Sequence, residues 1–88
     1  MTDVIAAMRE RLAPLAAVRL EIRDDSARHA GHAGARAGGG HFAMTIVSAQ
    51  FAGKRTMERH RMVYHALGAL MKTRIHALSI AARTPEET

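Results

Sequence analysis

The stretch TMERHRMVYHALGALMKTRIHALSI, residues 56–80, changes its apolar period partway along. In its first part the apolar residues recur at spacings of three, four and seven, which on a helix of 3.6 residues per turn makes one stripe facing a core. That stripe consists of Met57, Val63, Tyr64, Leu67, Leu70 and Met71. In its last part the period is two, which predicts a strand with His76, Leu78 and Ile80 on one face. The chain is therefore predicted to pass from a helical segment into a strand that begins near a histidine.

Three residues mark the limits of the helical segment. Thr56 is the predicted N-cap, and Glu58 places a negative charge in the first turn, where it complements the helix dipole. Gly68 interrupts the apolar stripe and costs about 1 kcal/mol relative to alanine inside a helix. We therefore expect the segment to bend or to divide in two at Gly68.

A helix and two strands are predicted upstream of this stretch. Thr2 is the predicted N-cap of the helix, which ends near Pro14 because the residue before a proline disfavours the helical region. Its apolar face carries Ile5, Met8, Leu12 and Leu15. The first strand alternates, and its inward face is formed by Val18, Leu20 and Ile22. The second strand, residues 41–48, alternates in the same way, and its inward face is formed by Phe42, Met44 and Ile46.

These elements predict a single α+β domain in the order αββααβ, or αββαβ if the helical segment does not divide. Eighty-eight residues leave no room for a second domain. The crossover through the helical segment makes the third strand parallel to one of the first two, which gives a three-stranded mixed sheet with helices on one face. We expect the domain to span residues 1–84 and residues 85–88 to form a disordered tail.

The stretch DDSARHAGHAGARAGGG, residues 24–40, contains no apolar side chain larger than alanine. It has nothing to bury, so it is predicted to be a surface loop between the first two strands. Loops of this length without secondary structure are usually either functional or disordered, and the sequence leaves both outcomes open.

The composition excludes several classes of site. The absence of cysteine excludes disulfides, a thiolate nucleophile and any metal site whose protein ligands are sulfur. A net charge of +5 is compatible with a nucleic-acid partner but does not establish one. Common catalytic motifs are missing and the acidic residues occupy predicted solvated positions, so we expect no enzyme. The six histidines raise the question of a metal: His29, His32, His41, His60, His65 and His76.

The N-terminal stretch MTDVIAAMRERLAPL has charges within its apolar pattern and no small-residue cleavage site, so it does not resemble a signal peptide. No run approaches 18 consecutive apolar residues, so no membrane span is predicted. We therefore expect a cytoplasmic protein without a membrane partner.

Several strings of the sequence resemble the BolA-like proteins and occur in that family's order. They are Asp25-Ser26-Ala27-Arg28-His29, His41-Phe42, Phe51-x-Gly53, Arg59-His60-Arg61-Met62-Val63-Tyr64 and Ile75-His76-Ala77-Leu78. Each string is short, but the ordered set covers about residues 4–84 and is specific. The resemblance implies the BolA-like fold, which is similar to the type II KH module.

The resemblance also implies a shared 2Fe-2S cluster. In BolA-like proteins the histidine of the Ile-His-Ala-Leu motif, here His76, ligates a cluster held jointly with a monothiol glutaredoxin. The family's second ligand comes from the loop between the first two strands, where His29 matches the pattern better than the competing His32. Two imidazoles can replace two thiolates on one iron of such a centre, and they must be deprotonated to bind, so ligation should weaken near pH 6.5 and below.

On this resemblance we expect an iron–sulfur accessory protein in cluster trafficking or iron sensing. The glutaredoxin cysteine and glutathione would supply the sulfur ligands, so the isolated chain is expected to hold no cofactor, and to be a monomer that forms a heterodimer with its partner. Without the resemblance, His76 would be explained as a strand-end imidazole and the loop histidines as solvated side chains. We expect His60 and His65 to be interface or core-edge residues and His41 to make a cap or solvent contact.

The alternative function is a DNA-binding transcriptional regulator affecting morphology and stress response, as the bacterial namesake of the family is regarded. The candidate phosphate-contacting surface consists of Lys54, Arg55, Arg59, Arg61, Lys72 and Arg74. The turn from Phe51 to Thr56 contains one glycine, so the Gly-x-x-Gly clamp of a KH domain is missing. Arg59 and Arg61 are also about 200° apart on a helix and cannot share one face. A solvated basic face is therefore the simpler explanation of these charges.

Overall fold

The structure is a computed structural model, which describes residues 3–25 and 40–88. Within these ranges the helices are α1 (Val4–Leu12), α2 (Thr56–Leu67) and α3 (Leu70–Thr73), and the strands are β1 (Arg19–Asp24), β2 (Gly40–Val47) and β3 (Ile75–Arg83). Short 3-10 turns occupy Ala13–Leu15, Ala49–Phe51 and Pro85–Glu87. The predicted order αββααβ is confirmed.

The three strands form one mixed sheet in the order β1-β2-β3. β1 pairs with β2 antiparallel, from Arg19 opposite Val47 to Asp24 opposite Phe42. β2 pairs with β3 parallel, so the third strand is parallel to one of the first two, as predicted, and the structure identifies that strand as β2. Because β1 ends where β2 and β3 begin, three strand ends meet at one end of the sheet.

The core lies between the helices and one face of the sheet. The inward face of β2 is as predicted, and these three side chains are at most 6% exposed: Phe42, Met44 and Ile46. They pack in one cluster with buried residues of the helices and turns: Met8, Leu12, Leu15, Phe51, Val63 and Leu67. The opposite face of the sheet carries small and polar side chains, among them Glu21, Ala43, Thr45, Ser79 and Ala81.

The predicted apolar stripe of α2 is partly wrong. Val63 and Leu67 are fully buried, but Met57 is 70% and Tyr64 is 41% exposed. On a helix of 3.6 residues per turn Tyr64 lies about 100° and Met57 about 120° around the axis from Val63, so both face away from the core. A spacing of seven residues fits this outer stripe as well as the inner one, and the sequence pattern merged the two.

Both predicted N-caps are displaced by one residue. The N-cap of α1 is Asp3, whose Oδ1 accepts a hydrogen bond from the N–H of Ile5 at 3.1 Å, whereas Thr2 lies outside the described residues. Thr56 is the first residue of α2, and Arg55 takes the N-cap position. Glu58 compensates there, because its Oε1 accepts a hydrogen bond from the N–H of Arg55 at 2.9 Å.

The helical segment divides at Gly68, as predicted. Gly68 ends α2 with φ 56° and ψ −128°, a backbone conformation that side-chain-bearing residues rarely adopt, and α3 begins two residues later. The short α3 then delivers the chain to the start of β3.

The end of the chain, where a disordered tail was predicted, contains a short turn. Pro85–Glu87 form a 3-10 turn, and Thr84 before it is 5% exposed. The turn is held against α2 by Arg59, which donates hydrogen bonds to both carboxylate oxygens of Glu87.

Candidate metal-binding end of the sheet

His76 occupies an irregularity in the pairing of β2 with β3. Gly40 lies opposite Ile75, but the next residue of β2, His41, lies opposite Ala77. His76 is therefore an extra residue without a counterpart on β2, the arrangement of a β-bulge. Bulges redirect side chains and are common next to functional sites. Here His76 is exposed, while Ile75 beside it is only 4% exposed.

Because of the bulge, the orientation of His76 differs from the predicted one. Strict alternation would place it on the face of Leu78 and Ile80, which pack against the core. Because the extra residue shifts the alternation at the start of β3, Ile75 enters the core instead. The prediction of a shared face is wrong for His76, and its ring is accessible to a group outside the chain.

A second imidazole lies against His76. The rings of His41 and His76 have centroids 5.1 Å apart and planes tilted by 47°. His41 is half-buried, and its backbone carbonyl accepts a hydrogen bond from the N–H of Asp25 at 2.7 Å. The sequence did not predict this ring contact of His41, and the expected cap or solvent contact stays a prediction. Parallel pairing of the second and third strands would have brought the two strand starts together, but the sequence left the partner of the third strand open.

Both described ends of the segment with His29 and His32 lie at this same end of the sheet. The two histidines themselves lie outside the described residues. On one side Asp25 bonds to His41, and on the other the N–H of Gly40 donates to the carbonyl of Arg74 at 3.0 Å. The chain thus leaves and re-enters the described structure beside His41 and His76. We call this region, where β1 ends and β2 and β3 begin, the histidine end of the sheet.

The described side chains at the histidine end could supply only some of the ligands that a metal site needs. Among the residues that the structure describes, no group of three or more His, Cys, Asp or Glu side chains is placed to hold a metal ion. The chain has no cysteine to complete such a set with sulfur. An accessible imidazole suits iron, so His76 fits a cluster whose other ligands come from elsewhere.

The remaining histidines lie on α2. His60 is half-buried and His65 is exposed. Neither has a ring contact with the pair at the histidine end among the described interactions. The expected interface or core-edge role for these two residues stays a prediction.

Arg59, a member of the candidate basic surface, is committed to contacts within the chain. Besides its two bonds to Glu87, it donates through Nη1 to the carbonyl of Ala82 at 3.0 Å and through Nε to that of Lys54 at 2.9 Å. Its side chain is 13% exposed. Hydrogen bonds from Arg59 and from the N–H of Thr84 lower the pKa of Glu87 from 4.5 to about 2. Arg59 therefore contributes little to any surface for phosphate.

The other five members of the basic surface are exposed and lie in separate places. Arg55 and Arg61 line a shallow groove on α2 together with Met57 and Glu58. Lys72 lies in α3 and Arg74 just after it, so both precede the histidine end. Lys54 is exposed in the turn before α2. The five cations do not form one continuous patch along α2.

No helix in the described part of the chain has the length and apolar character needed to cross a membrane.

Comparison with protein families gives a match over nearly the whole chain. The model of the BolA-like proteins matches residues 11–87. The chain is 46% identical over 85 residues to the chloroplastic protein BOLA1 of Arabidopsis thaliana, covering 92% of this chain and 53% of that protein. It is 40% identical over 70 residues to the DNA-binding transcriptional regulator BolA of Escherichia coli, covering 80% and 64% of the two.

Solved structures share the fold. BolA1 from Arabidopsis thaliana superposes with a TM-score of 0.83 at 39% identity, covering 100% of this chain and 99% of that one. The BolA domain of SufE1 from the same plant superposes with a TM-score of 0.84 at 41% identity and the same coverage. The chain spans only 20% of the curated SufE-like protein 1, and less than two thirds of the two relatives above.

Proposed function

The chain belongs to the BolA-like family, whose members are not enzymes, and from that premise we propose that it is an iron–sulfur accessory protein. In this proposal it forms a heterocomplex with a monothiol glutaredoxin and co-ligates a 2Fe-2S cluster shared between the two chains. Its role is cluster trafficking or iron sensing. The cluster would supply the iron and sulfide that are delivered or sensed. This chain would supply imidazole ligands and a docking surface.

The exposure of His76 at the bulge is the observation that carries the proposal. A ligand to a cluster held by a second protein must project from the surface, and the bulge frees His76 from the alternation that would direct it into the core. The short α3 and the central strand β2 fix the backbone on both sides of it. A rigid backbone with an accessible imidazole is what a shared site requires from this partner.

The proposed second ligand is His29, with His32 as the competing candidate. Both lie in the segment whose described ends, Asp25 and Gly40, meet at the histidine end. The position of those ends supports a ligand from this segment, because the segment is attached at both ends to residues close to His76. Since the chain has no cysteine, the sulfur ligands would come from the glutaredoxin cysteine and from glutathione.

The test is to titrate the protein into a 2Fe-2S-loaded monothiol glutaredoxin and record visible absorption and circular dichroism. We expect the all-thiolate spectrum to change to one with histidine ligation, and His76→Ala to abolish the change. His65→Ala is the matched control, because it removes an exposed histidine from α2 and should leave the change intact. A spectrum that does not respond to the protein, or that responds equally with His76→Ala, contradicts the proposal.

The same spectra can identify the second ligand. We expect His29→Ala to alter the final spectrum and His32→Ala to leave it unchanged. The reverse result would assign the ligand to His32. If both variants behave as the unmodified protein, the second ligand is neither of these residues.

A second candidate function is DNA binding, which the name of the Escherichia coli relative and the exposed cations support. Since Arg59 bonds to Glu87, the available contacts are the other five cations of the surface: Lys54, Arg55, Arg61, Lys72 and Arg74. Fluorescence anisotropy with duplex DNA at rising salt tests this candidate. Specific binding should persist at physiological salt, and each phosphate contact removed by mutation to alanine should lower the salt slope by about 1. Binding that disappears at physiological salt would reflect net charge alone.

A further inference from the structure

We propose that His41 is a positioning residue, which holds the imidazole of His76 in one orientation at the histidine end. His41 would act on the side chain of His76 already in the free protein, and the importance of this for ligation rests on the proposed function. The contact that carries it is the pair of rings with centroids 5.1 Å apart and planes tilted by 47°. Tilted rings at this separation are in the range in which aromatic side chains pack on each other.

His76 needs an external support because of its place in the sheet. As the extra residue of the bulge, it has no residue opposite it on β2 that would restrict its side chain. It is also exposed, so the core does not restrict it. An exposed side chain of this kind samples several rotamers unless a neighbour excludes them.

His41 is suited to provide that support. It lies on β2, the central strand, which is paired on both sides, and its carbonyl accepts a hydrogen bond from the N–H of Asp25, the residue after β1. The side chain is half-buried, and its Nε2 atom is enclosed by the protein. A ring anchored in this way presents a fixed surface to His76.

The expected effect is pre-organisation of the ligand. A side chain that is already ordered loses less conformational entropy when it binds, so the affinity is higher than for a freely rotating imidazole. The Nε2 of His41 is enclosed by the protein, so that nitrogen could bind iron only if the surrounding atoms moved, whereas His76 is exposed. The geometry thus assigns the two histidines different tasks, with His76 outward and His41 behind it.

The first test uses the free protein and needs no cluster. Side-chain NMR couplings and relaxation of the His76 ring would be measured in the unmodified protein, in His41→Ala and in His41→Phe, with amide spectra to confirm that each variant is folded. We expect one dominant His76 rotamer in the unmodified protein, rotamer averaging in His41→Ala, and a single rotamer again in His41→Phe, which keeps a ring. If the His76 ring is equally ordered in His41→Ala, or remains averaged in a folded His41→Phe, the proposal is overturned.

The second test uses the loaded glutaredoxin. We expect His41→Ala to weaken formation of the shared complex by about 2- to 10-fold, the effect of one side chain that must be ordered on binding, while the spectrum at saturation stays that of the unmodified protein. His41→Phe should restore the affinity. A saturated His41→Ala spectrum like that of His76→Ala would make His41 a ligand and overturn the positioning role.

The two tests separate the two proposals. If the unmodified protein never changes the glutaredoxin spectrum, the proposed function fails, and the NMR measurement still decides whether His41 orders His76. If the spectrum changes but the NMR shows no dependence of His76 on His41, the function stands and this inference fails.

Discussion

At the scale of single residues, Arg59 was a candidate phosphate contact in the sequence, but in the structure it stabilises the fold. Its guanidinium bonds to the carboxylate of Glu87 and to the carbonyls of Ala82 and Lys54. These partners belong to the end of β3, the turn before α2 and the C-terminal turn. Arg59 therefore joins three parts of the chain that are separate in sequence.

The pairing of Arg59 with Glu87 predicts a pH-dependent contribution to stability. The pKa of Glu87 is lowered from 4.5 to about 2, so the folded state favours the charged carboxylate. Its stabilising effect should be fully present above pH 4.5 and should be lost as the pH falls towards 2. Urea unfolding of the unmodified protein and of Glu87→Gln measures this as a difference in stability that is constant at neutral pH and shrinks below pH 4.5.

Glu86→Gln is the matched control, because Glu86 is exposed in the same turn. It should leave the unfolding midpoint nearly unchanged at every pH. A Glu87→Gln difference that persists undiminished at pH 2 would show that the ion pair is not its source.

At the scale of elements, α2 presents two apolar stripes of which only one is buried. Leu67 is fully buried in the core, whereas Met57 is 70% exposed on the outer stripe. We expect Leu67→Ala to lower the free energy of unfolding by about 2–5 kcal/mol through lost burial and a cavity. Met57→Ala should change it by less than about 0.5 kcal/mol. Chemical denaturation measures both, and similar losses from the two variants would contradict the orientation of α2.

The break between α2 and α3 predicts the effect of replacing Gly68. Glycine inside a helix is less stable than alanine, but Gly68 has φ 56° and ψ −128°, where an L side chain is strained. Its environment is not crowded, since a Cβ there would meet the carbonyl of His65 at 3.8 Å. We therefore expect Gly68→Ala to destabilise the protein by about 1–3 kcal/mol through backbone strain alone, measured by urea unfolding.

Ala69 provides the control for Gly68, because it follows directly and has ordinary helical angles, φ −61° and ψ −20°. Ala69→Gly should change the free energy of unfolding by at most about 1 kcal/mol, because glycine adopts these angles without strain and the change acts mainly on the entropy of the unfolded chain. A stabilising Gly68→Ala would mean that the chain continues as one helix through this position.

At the scale of the whole molecule, the features that depend on local periodicity could be predicted from the sequence. The order of elements, the inward face of β2 and the break at Gly68 follow from short-range patterns and are confirmed. The contact of His41 with His76 depends on the parallel pairing of β2 with β3, a long-range feature that the local pattern left open. Met57 and Tyr64 were assigned to the core because a spacing of seven fits two neighbouring stripes of one helix.

The whole molecule is also the scale at which removal of the cluster should be tested. If His76 ligates a cluster that the glutaredoxin also holds, the cluster is a bond across the interface. By thermodynamic linkage, the cluster then raises the affinity of this chain for the glutaredoxin. This chain must raise the affinity of the glutaredoxin for the cluster by the same factor. We expect a one-to-one complex whose Kd, measured by calorimetry, rises about 5- to 150-fold when the cluster is removed. His76→Ala should show the weaker Kd with and without the cluster, because it lacks the bridging ligand. Equal affinity of the unmodified protein for loaded and cluster-free glutaredoxin would leave His76 no part in holding the two chains together.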